Sequence, residues 1–114
     1  MNDNKDILET LCKAVRFVLV ETSHPGNIGA SARAIKTMGF RQLHLVSPKD
    51  FPHETAFHRA KAANDILDGA IVHQDLASAV EECQLIIGTS ARNRKVPWPV
   101  ISPKEAAEEI VSFS

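Results

Sequence analysis

Cysteine is scarce in this chain: Cys12 and Cys83 are the only two among 114 residues. Two thiols so far apart argue against a disulfide-stapled secreted scaffold. The start, Met-Asn-Asp-Asn-Lys-Asp, is polar and acidic rather than basic and then apolar, so it does not read as a secretory signal. The expectation is reduced thiols in a cytoplasm, with Cys83 half-buried and inert. No apolar run approaches the ~20 residues a membrane-spanning helix needs, so no membrane partner is expected. An excess of charge is lacking too. Thirteen basic residues stand against fourteen acidic ones, for a net charge of −1, which removes any global electrostatic case for nucleic acid. There is no CxxC or HxxxH spacing for zinc, and none of the five histidines pairs with another at ligand spacing. No metal is expected. A GxGxxG turn and a Walker A loop are also missing, which sets aside conventional dinucleotide and P-loop sites. No internal repeat or low-complexity tract appears.

What remains is globular, with 44% hydrophobic residues, at a length that points to a single domain. A chain of this size buries roughly two thirds of its unfolded surface, enough for one core. Ile7, Leu8, Leu11 and Cys12 give helical spacing over residues 6–13. Val15 to Glu21 is almost wholly β-favouring and predicts a strand buried on both faces. Residues 27–38 read as a helix, with Asn27 as N-cap and Gly39 as its stop. Its core stripe would be Ile28, Ala32, Ile35 and Gly39. Leu43–Val46 is a second strand, ended by Ser47-Pro48. Thr55 to Leu67 predicts one helix through Ala56, Ala60, Ala63 and Leu67. Ala70–Val72 is a short strand, and Asp75 caps a helix from Leu76 to Glu82. Leu85–Ile87 is a fourth strand. Ser102-Pro103 opens a last helix with Glu105 in its first turn. Four alternations of strand and helix imply an α/β fold: a parallel sheet with helices on both faces.

In such sheets ligands bind beyond the carboxyl ends of the strands. Two loops leave those ends with unusual residues, Thr22–Asn27 and Gly88–Arg94. Pro25 and Gly26 make a tight turn, and Gly26 and Gly29 admit close backbone approach. Simple turning and capping explains these residues equally well. His24 lies in this loop and could bond a ligand; His44 reads as a strand residue, and His53, His58 and His73 as surface residues. Arg33 lies about 140° round the helix from Ile28, off the core stripe. It shares a face with Gly29 and Lys36; a solvated surface arginine is the plain alternative. Basic residues gather at Arg33, Lys36 and Arg41, and again at Arg92, Arg94 and Lys95. Thr89, Ser90 and Ala91 end an apolar run, where small hydroxyl side chains can bond a nucleoside or simply form an ST-turn. Arg92, Arg94 and Lys95 near Trp98 could grip an RNA backbone, although Trp98 between Pro97 and Pro99 suits a packed lid better.

The segment Val18-Leu19-Val20-Glu21-Thr22-Ser23-His24-Pro25-Gly26-Asn27-Ile28-Gly29, then Ala32-Arg33-Ala34 and Lys36-Thr37-Met38-Gly39, resembles the first motif of the SPOUT RNA 2′-O-methyltransferases. Gly88-Thr89-Ser90-Ala91-Arg92, followed by Arg94 and Pro97-Trp98-Pro99, resembles a later motif of the same family, and the likeness runs from about Val15 to Pro103. It is nearest the branch that acts on cytidine and uridine in the tRNA anticodon loop. The resemblance implies transfer of methyl from S-adenosylmethionine to a ribose 2′-hydroxyl of tRNA by a homodimer. It places Asn27 and Arg33 as catalytic residues and Thr89, Ser90 and Ala91 on the cofactor. Arg92 and Arg94 fall on RNA contacts, with Lys95 and Lys36 as neighbouring charges. Ala62 stands where the family often has glycine. In the family two further motifs follow the counterpart of Ser114, forming the trefoil knot and most of the cofactor pocket. The expectation is a partial SPOUT domain over residues 1–114, with residues 1–13 as an N-terminal extension and without the C-terminal knotted segment. Such a chain would by itself bind S-adenosylmethionine weakly and be inactive. Two other readings are a non-catalytic module that binds RNA or dimerises through the Asn27–Gly39 helix, where the small Ala30 and Ala34 permit close packing, and an unrelated α/β phosphate-binding domain. Binding of tRNA without cofactor would favour the module.

Overall fold

Three strands form a parallel sheet in the order β1-β2-β3 in the computed structural model, which describes residues 3–89 and 102–113. They are β1 (Arg16–Val20), β2 (Gln42–Val46) and β3 (Ile71–His73). Phe17 pairs with Leu43 and Leu19 with Leu45, while His44 pairs with Ile71 and Val46 with His73. The central strand is the buried one: Leu43, His44, Leu45 and Val46 are all inside. β1, expected to be buried on both faces, is only half-buried, and Val20 is exposed. Among the described residues β1 has a neighbour on one side only, so its flank stays open.

Helices α1 (Asp3–Ala14), α2 (Pro25–Thr37), α3 (Glu54–Ala60), α4 (Asn64–Asp68), α5 (Leu76–Val80) and α6 (Pro103–Phe113) accompany the strands. α1 is longer than its apolar spacing predicts, and Gln42 Nε2 donates to the Lys13 carbonyl at its end. Ile28, Ala32 and Ile35 of α2 meet Leu43, Leu45, Ala56, Ala60, Ala63, Ile66 and Leu67 in one core, flanked by Phe17 and Leu19. Phe17 and Phe40 close it edge to face, with ring centroids 5.2 Å apart. α5 packs against β2 and β3; Ala79 is buried there and its carbonyl accepts from Arg16 Nη1 at 3.2 Å. Asp75 caps α5, accepting the Ser78 N–H at 2.8 Å.

The start of α2 differs from expectation. The cap is His24, not Asn27: its backbone is extended and its Nδ1 accepts the Gly26 N–H at 3.0 Å. Pro25 then takes the first helical position, where a missing N–H costs nothing. Asn27 lies inside the first turn. At the other end, Gly39 has φ 87°, and its N–H meets the Lys36 carbonyl while the Phe40 N–H reaches that of Ile35. This paired bonding satisfies the orphan carbonyls of a helix end. Gly39 stops the helix as expected but is exposed, outside the core stripe.

The expected helix from Thr55 to Leu67 is broken. α3 ends at Ala60, a 3₁₀ turn spans Lys61–Ala63, and α4 follows. Ala56, Ala60, Ala63 and Leu67 are nevertheless all buried, because their spacing suits the broken and the continuous helix alike. Leu85–Ile87, expected as a fourth strand, forms no strand. A strand needs a neighbour's N–H and C=O groups as well as apolar side chains, and none pairs with this run among the described residues.

The chain divides into two units, Met1–Glu81 and Glu82–Ser114. In the second, α6 begins with a reciprocal cap: Ser102 Oγ accepts the Glu105 N–H at 3.1 Å, and Glu105 Oε1 accepts the Ser102 N–H at 3.3 Å. Cys12 and Cys83 are free thiols, each half-buried. No helix among the described residues is long and apolar enough to cross a membrane.

Candidate functional site

The loop after β1 is tied to the exit of β2. The Glu21 N–H reaches the Val46 carbonyl at 2.8 Å, and the Lys49 N–H reaches that of Thr22 at 3.2 Å. The next four residues turn into α2. Pro25 and Gly26 are buried there, and Asn27 is exposed in the first turn. A Cβ on Gly29 would stand 2.1 Å from the Ala56 carbonyl oxygen and 2.9 Å from Arg59 Cβ. What approaches this glycine is therefore the backbone of α3, not a ligand. The contact brings α3 onto the flank of α2 that carries Arg33.

Arg33 is exposed and lines a groove of about 440 Å³ with Arg59 and Lys61, over Ala30, Ala34 and Met38. Asn27 does not line it. Arg33 lies six positions further on, which is roughly 9 Å along the axis and 120° round it. The two catalytic candidates thus share a helix without converging on one point of it. Lys36 is engaged within the chain. Its Nζ donates to Asp65 Oδ1 and to the Ala62 carbonyl, both at 2.9 Å, and it holds the Asp65 carboxyl below the usual carboxylate range. The break after α3 leaves carbonyls outside a helical ladder, and Lys36 takes one of them. Thr89 is exposed. Ser90, Ala91, Arg92, Arg94, Lys95 and Trp98 lie outside the described residues.

Sequence reasoning did not single out Arg59 and Lys61, because only the α2–α3 contact joins them to Arg33. Nor did it find the polar pair behind the sheet. His44, only 3% exposed, lies with its Nδ1 2.9 Å from His73 Nε2, the rings stacked. His73, expected on the surface, is half-buried by this pairing. His53 is likewise half-buried, its Nδ1 capping α3 through the Thr55 N–H. His44 Nε2 lies 3.3 Å from Gln42 Oε1. That oxygen can only accept, so Nε2 carries the His44 proton and Nδ1 accepts from His73. Burial pushes the His44 pKa down, helped by Arg16 and His73. Among the described residues no group of three or more histidine, cysteine or acidic side chains could hold a metal.

Known proteins place this arrangement. The profile of the SpoU rRNA Methylase family matches residues 14–109. The chain is 55% identical over 93 residues to the tRNA (cytidine/uridine/adenosine-2′-O-)-methyltransferase TrmJ of Pseudomonas aeruginosa, covering 82% of this chain and 36% of that protein. The tRNA (cytidine/uridine-2′-O-)-methyltransferase TrmJ of Sodalis glossinidius is 50% identical over 91 residues, covering 80% of this chain and 36% of its own length. Among solved structures, a probable methylase family protein from Haemophilus influenzae superposes with a TM-score of 0.84 at 46% identity, over 90% of this chain and 44% of that one. TrmJ from Z. mobilis gives 0.83 at 36% identity, over 87% of this chain and 45% of its own. The chain thus spans little more than a third of the length of these curated relatives, and 96 of its residues, from 14 to 109, carry the family pattern: it belongs to the SpoU rRNA methylase family.

Proposed function

We propose that this chain carries the RNA-facing part of an enzyme that methylates a ribose 2′-hydroxyl of cytidine or uridine in the tRNA anticodon loop, with S-adenosylmethionine as donor. The observation that carries the reading is Arg33: exposed in the groove beside α3, and without an ionic partner among the described residues. Names of relatives that match most of this chain support the reaction and its substrate.

A ribose hydroxyl is a weak acid. Methylating it requires an oxygen held in line with the methyl group and a stabilised developing negative charge. A guanidinium stays protonated at any working pH, so Arg33 does not act as base. It donates to the hydroxyl oxygen as charge grows there while the hydroxyl proton passes to water, and its planar fork can hold an adjoining phosphate as well. Asn27 presents an amide from the first turn of α2, able both to donate and to accept, and positions the nucleotide. S-adenosylmethionine, when bound, supplies the electrophilic methyl group. Among the described residues nothing lies within 4 Å of where a Cβ on Gly88 would stand, and Thr89 beside it is exposed. The hydroxyls of Thr89 and Ser90 and the small Ala91 are the residue types assigned to the adenosyl group. Arg92, Arg94 and Lys95 are assigned to RNA phosphates; Lys36, taken by itself, is assigned to RNA through the one ammonium donor its two internal bonds leave over.

The reading includes a homodimer working in the cytoplasm, where tRNA is found. Residues 1–13 form an extension leading into the domain, and the family match begins at residue 14. The test uses full-length protein, radiolabelled S-adenosylmethionine and tRNA, followed by digestion to nucleosides. Labelled 2′-O-methylcytidine or 2′-O-methyluridine is expected. Label on a base, or none in tRNA, would contradict the reading.

A further inference from the structure

The groove between α2 and α3 gathers three cations and no carboxylate: Arg33 from α2, Arg59 from α3, and Lys61 just beyond it. None of the three has an anionic partner among the described residues. Lys36, on the same helix as Arg33, is neutralised by Asp65 at 2.9 Å, so the chain does neutralise cations nearby. Like charges held together repel one another unless an anion joins them. Two features of the backbone impose this crowding. Gly29 lets α3 approach closely enough for Arg59 Cβ to lie 2.9 Å from where a glycine Cβ would be. Lys61 stands at φ 57° and ψ −119°, in a region that costs a non-glycine residue strain. Such outliers persist where the surroundings impose them, and they concentrate at binding sites. Here the bend ends α3 and places Lys61 on the groove wall. The floor is apolar and open, with Met38 58% exposed beside Ala30 and Ala34.

Charged walls over a shallow apolar floor suit a phosphodiester backbone, whose phosphates seek the cations and whose sugars rest on alanine and methionine. We propose that Arg59 and Lys61, together with Arg33, hold two successive phosphates of the RNA strand, making the flank of α3 a backbone track into the site. This rests on the reading that Arg33 faces the target ribose, and it adds two contact residues the sequence did not identify.

The test is the double variant Arg59→Gln with Lys61→Gln in the full-length protein. Glutamine keeps the Cβ and Cγ of Arg59 that pack against α2. Affinity for tRNA is measured from about 0.05 to 0.5 M salt. Each phosphate contact to single-stranded RNA adds roughly 0.7 to the slope of log affinity against log salt, so losing two should flatten it by about 1.4. That corresponds to about 25-fold weaker binding at 0.1 M salt. The loss should fall on KM for tRNA rather than on kcat, and affinity for S-adenosylmethionine should not move. The charge-keeping pair Arg59→Lys with Lys61→Arg should retain the wild-type slope. An unchanged slope in the glutamine variant overturns the proposal. So does a lost slope in the charge-keeping pair, which would assign the effect to packing. A shift in oligomeric state with the slope intact also overturns it, and assigns the groove to a subunit contact. Wild-type protein that methylates no tRNA would instead overturn the functional reading, and that is scored on wild type alone.

Discussion

Gly29→Ala tests whether the α2–α3 contact organises both the core and the groove. Alanine favours a helix interior over glycine by about 1 kcal/mol, so on local grounds the change should stabilise. The structure opposes it. The new Cβ would stand 2.1 Å from the Ala56 carbonyl oxygen. The helices would have to part by about 0.9 Å merely to bring that distance to 3.0 Å, the shortest that real Cβ atoms show. A backbone carbonyl cannot rotate aside as a side chain can. Ile28, Ala32, Ala56 and Ala60 around it are fully buried, so separation opens gaps throughout the shared core. Overpacking of this kind costs about 1–3 kcal/mol and sometimes more, and a clash with backbone belongs at or above the upper end. Net of the helical gain, a loss of about 2 kcal/mol is expected, or roughly 8 °C in melting temperature at this chain length. Thermal unfolding followed by circular dichroism measures it. A melting temperature unchanged or raised would show that the helices separate freely, and the argument for a rigid α2–α3 unit would fail. Because the same contact brings Arg59 beside Arg33, the variant should also weaken tRNA binding.

Two further perturbations separate other causes. Gly39→Ala meets only Cys12 Sγ at 3.7 Å, an ordinary contact, but forces φ 87° on a residue with a Cβ. Backbone strain alone should cost about 1–2 kcal/mol, less than Gly29→Ala; equal or greater loss in thermal melts would refute that ranking. Stability should also depend on pH through His44, whose pKa is depressed by burial first, then by Arg16 and His73. The folded state binds this proton less readily than the unfolded state, so stability is complete above the ordinary imidazole value of about 6.5 and falls as pH drops below it. Urea unfolding at pH 7.5 and 5.5 should give a lower midpoint at the acid value, and His44→Gln should narrow the difference. Equal midpoints for the wild type would refute the assignment. Asp65 and Asp75 are shifted downward, so their contributions fade only at more acid pH, below the ordinary carboxylate range.

Much of the fold was legible because its signals are local. The stripe Ile28, Ala32, Ile35 and the stop at Gly39 depend on helical periodicity and one glycine. The reciprocal Ser102–Glu105 cap depends on two residues three apart. The errors fall where a local signal had a rival or where the deciding partner is distant. Asn27 is a common capping residue, yet Pro25 had already marked the first helical position, and that left the cap to His24. Ala56, Ala60, Ala63 and Leu67 fit one helix as well as two, so the bend at Lys61 left no trace in their spacing. Leu85–Ile87 has strand composition, but pairing is decided by a neighbour the sequence does not name. The site divides the same way. Arg33 stood out because it leaves the core stripe of its own helix. Arg59 and Lys61 join it only through a helix crossing permitted at Gly29. His44 and His73 meet only through the register of β2 on β3.

The most direct measurement is the single-turnover rate of methyl transfer to saturating tRNA by full-length Arg33→Ala and Arg33→Lys. Arg33 is exposed and lacks an ionic partner among the described residues, so neither substitution should move the melting temperature by more than about 2 °C. Removing one preorganised donor from a developing oxyanion typically costs about 10²–10³ in rate, and Arg33→Ala should lose at least that much. Arg33→Lys keeps the charge but loses the planar fork, and should recover only part of the rate. A folded Arg33→Ala variant that transfers methyl to tRNA at the wild-type rate would contradict the central claim.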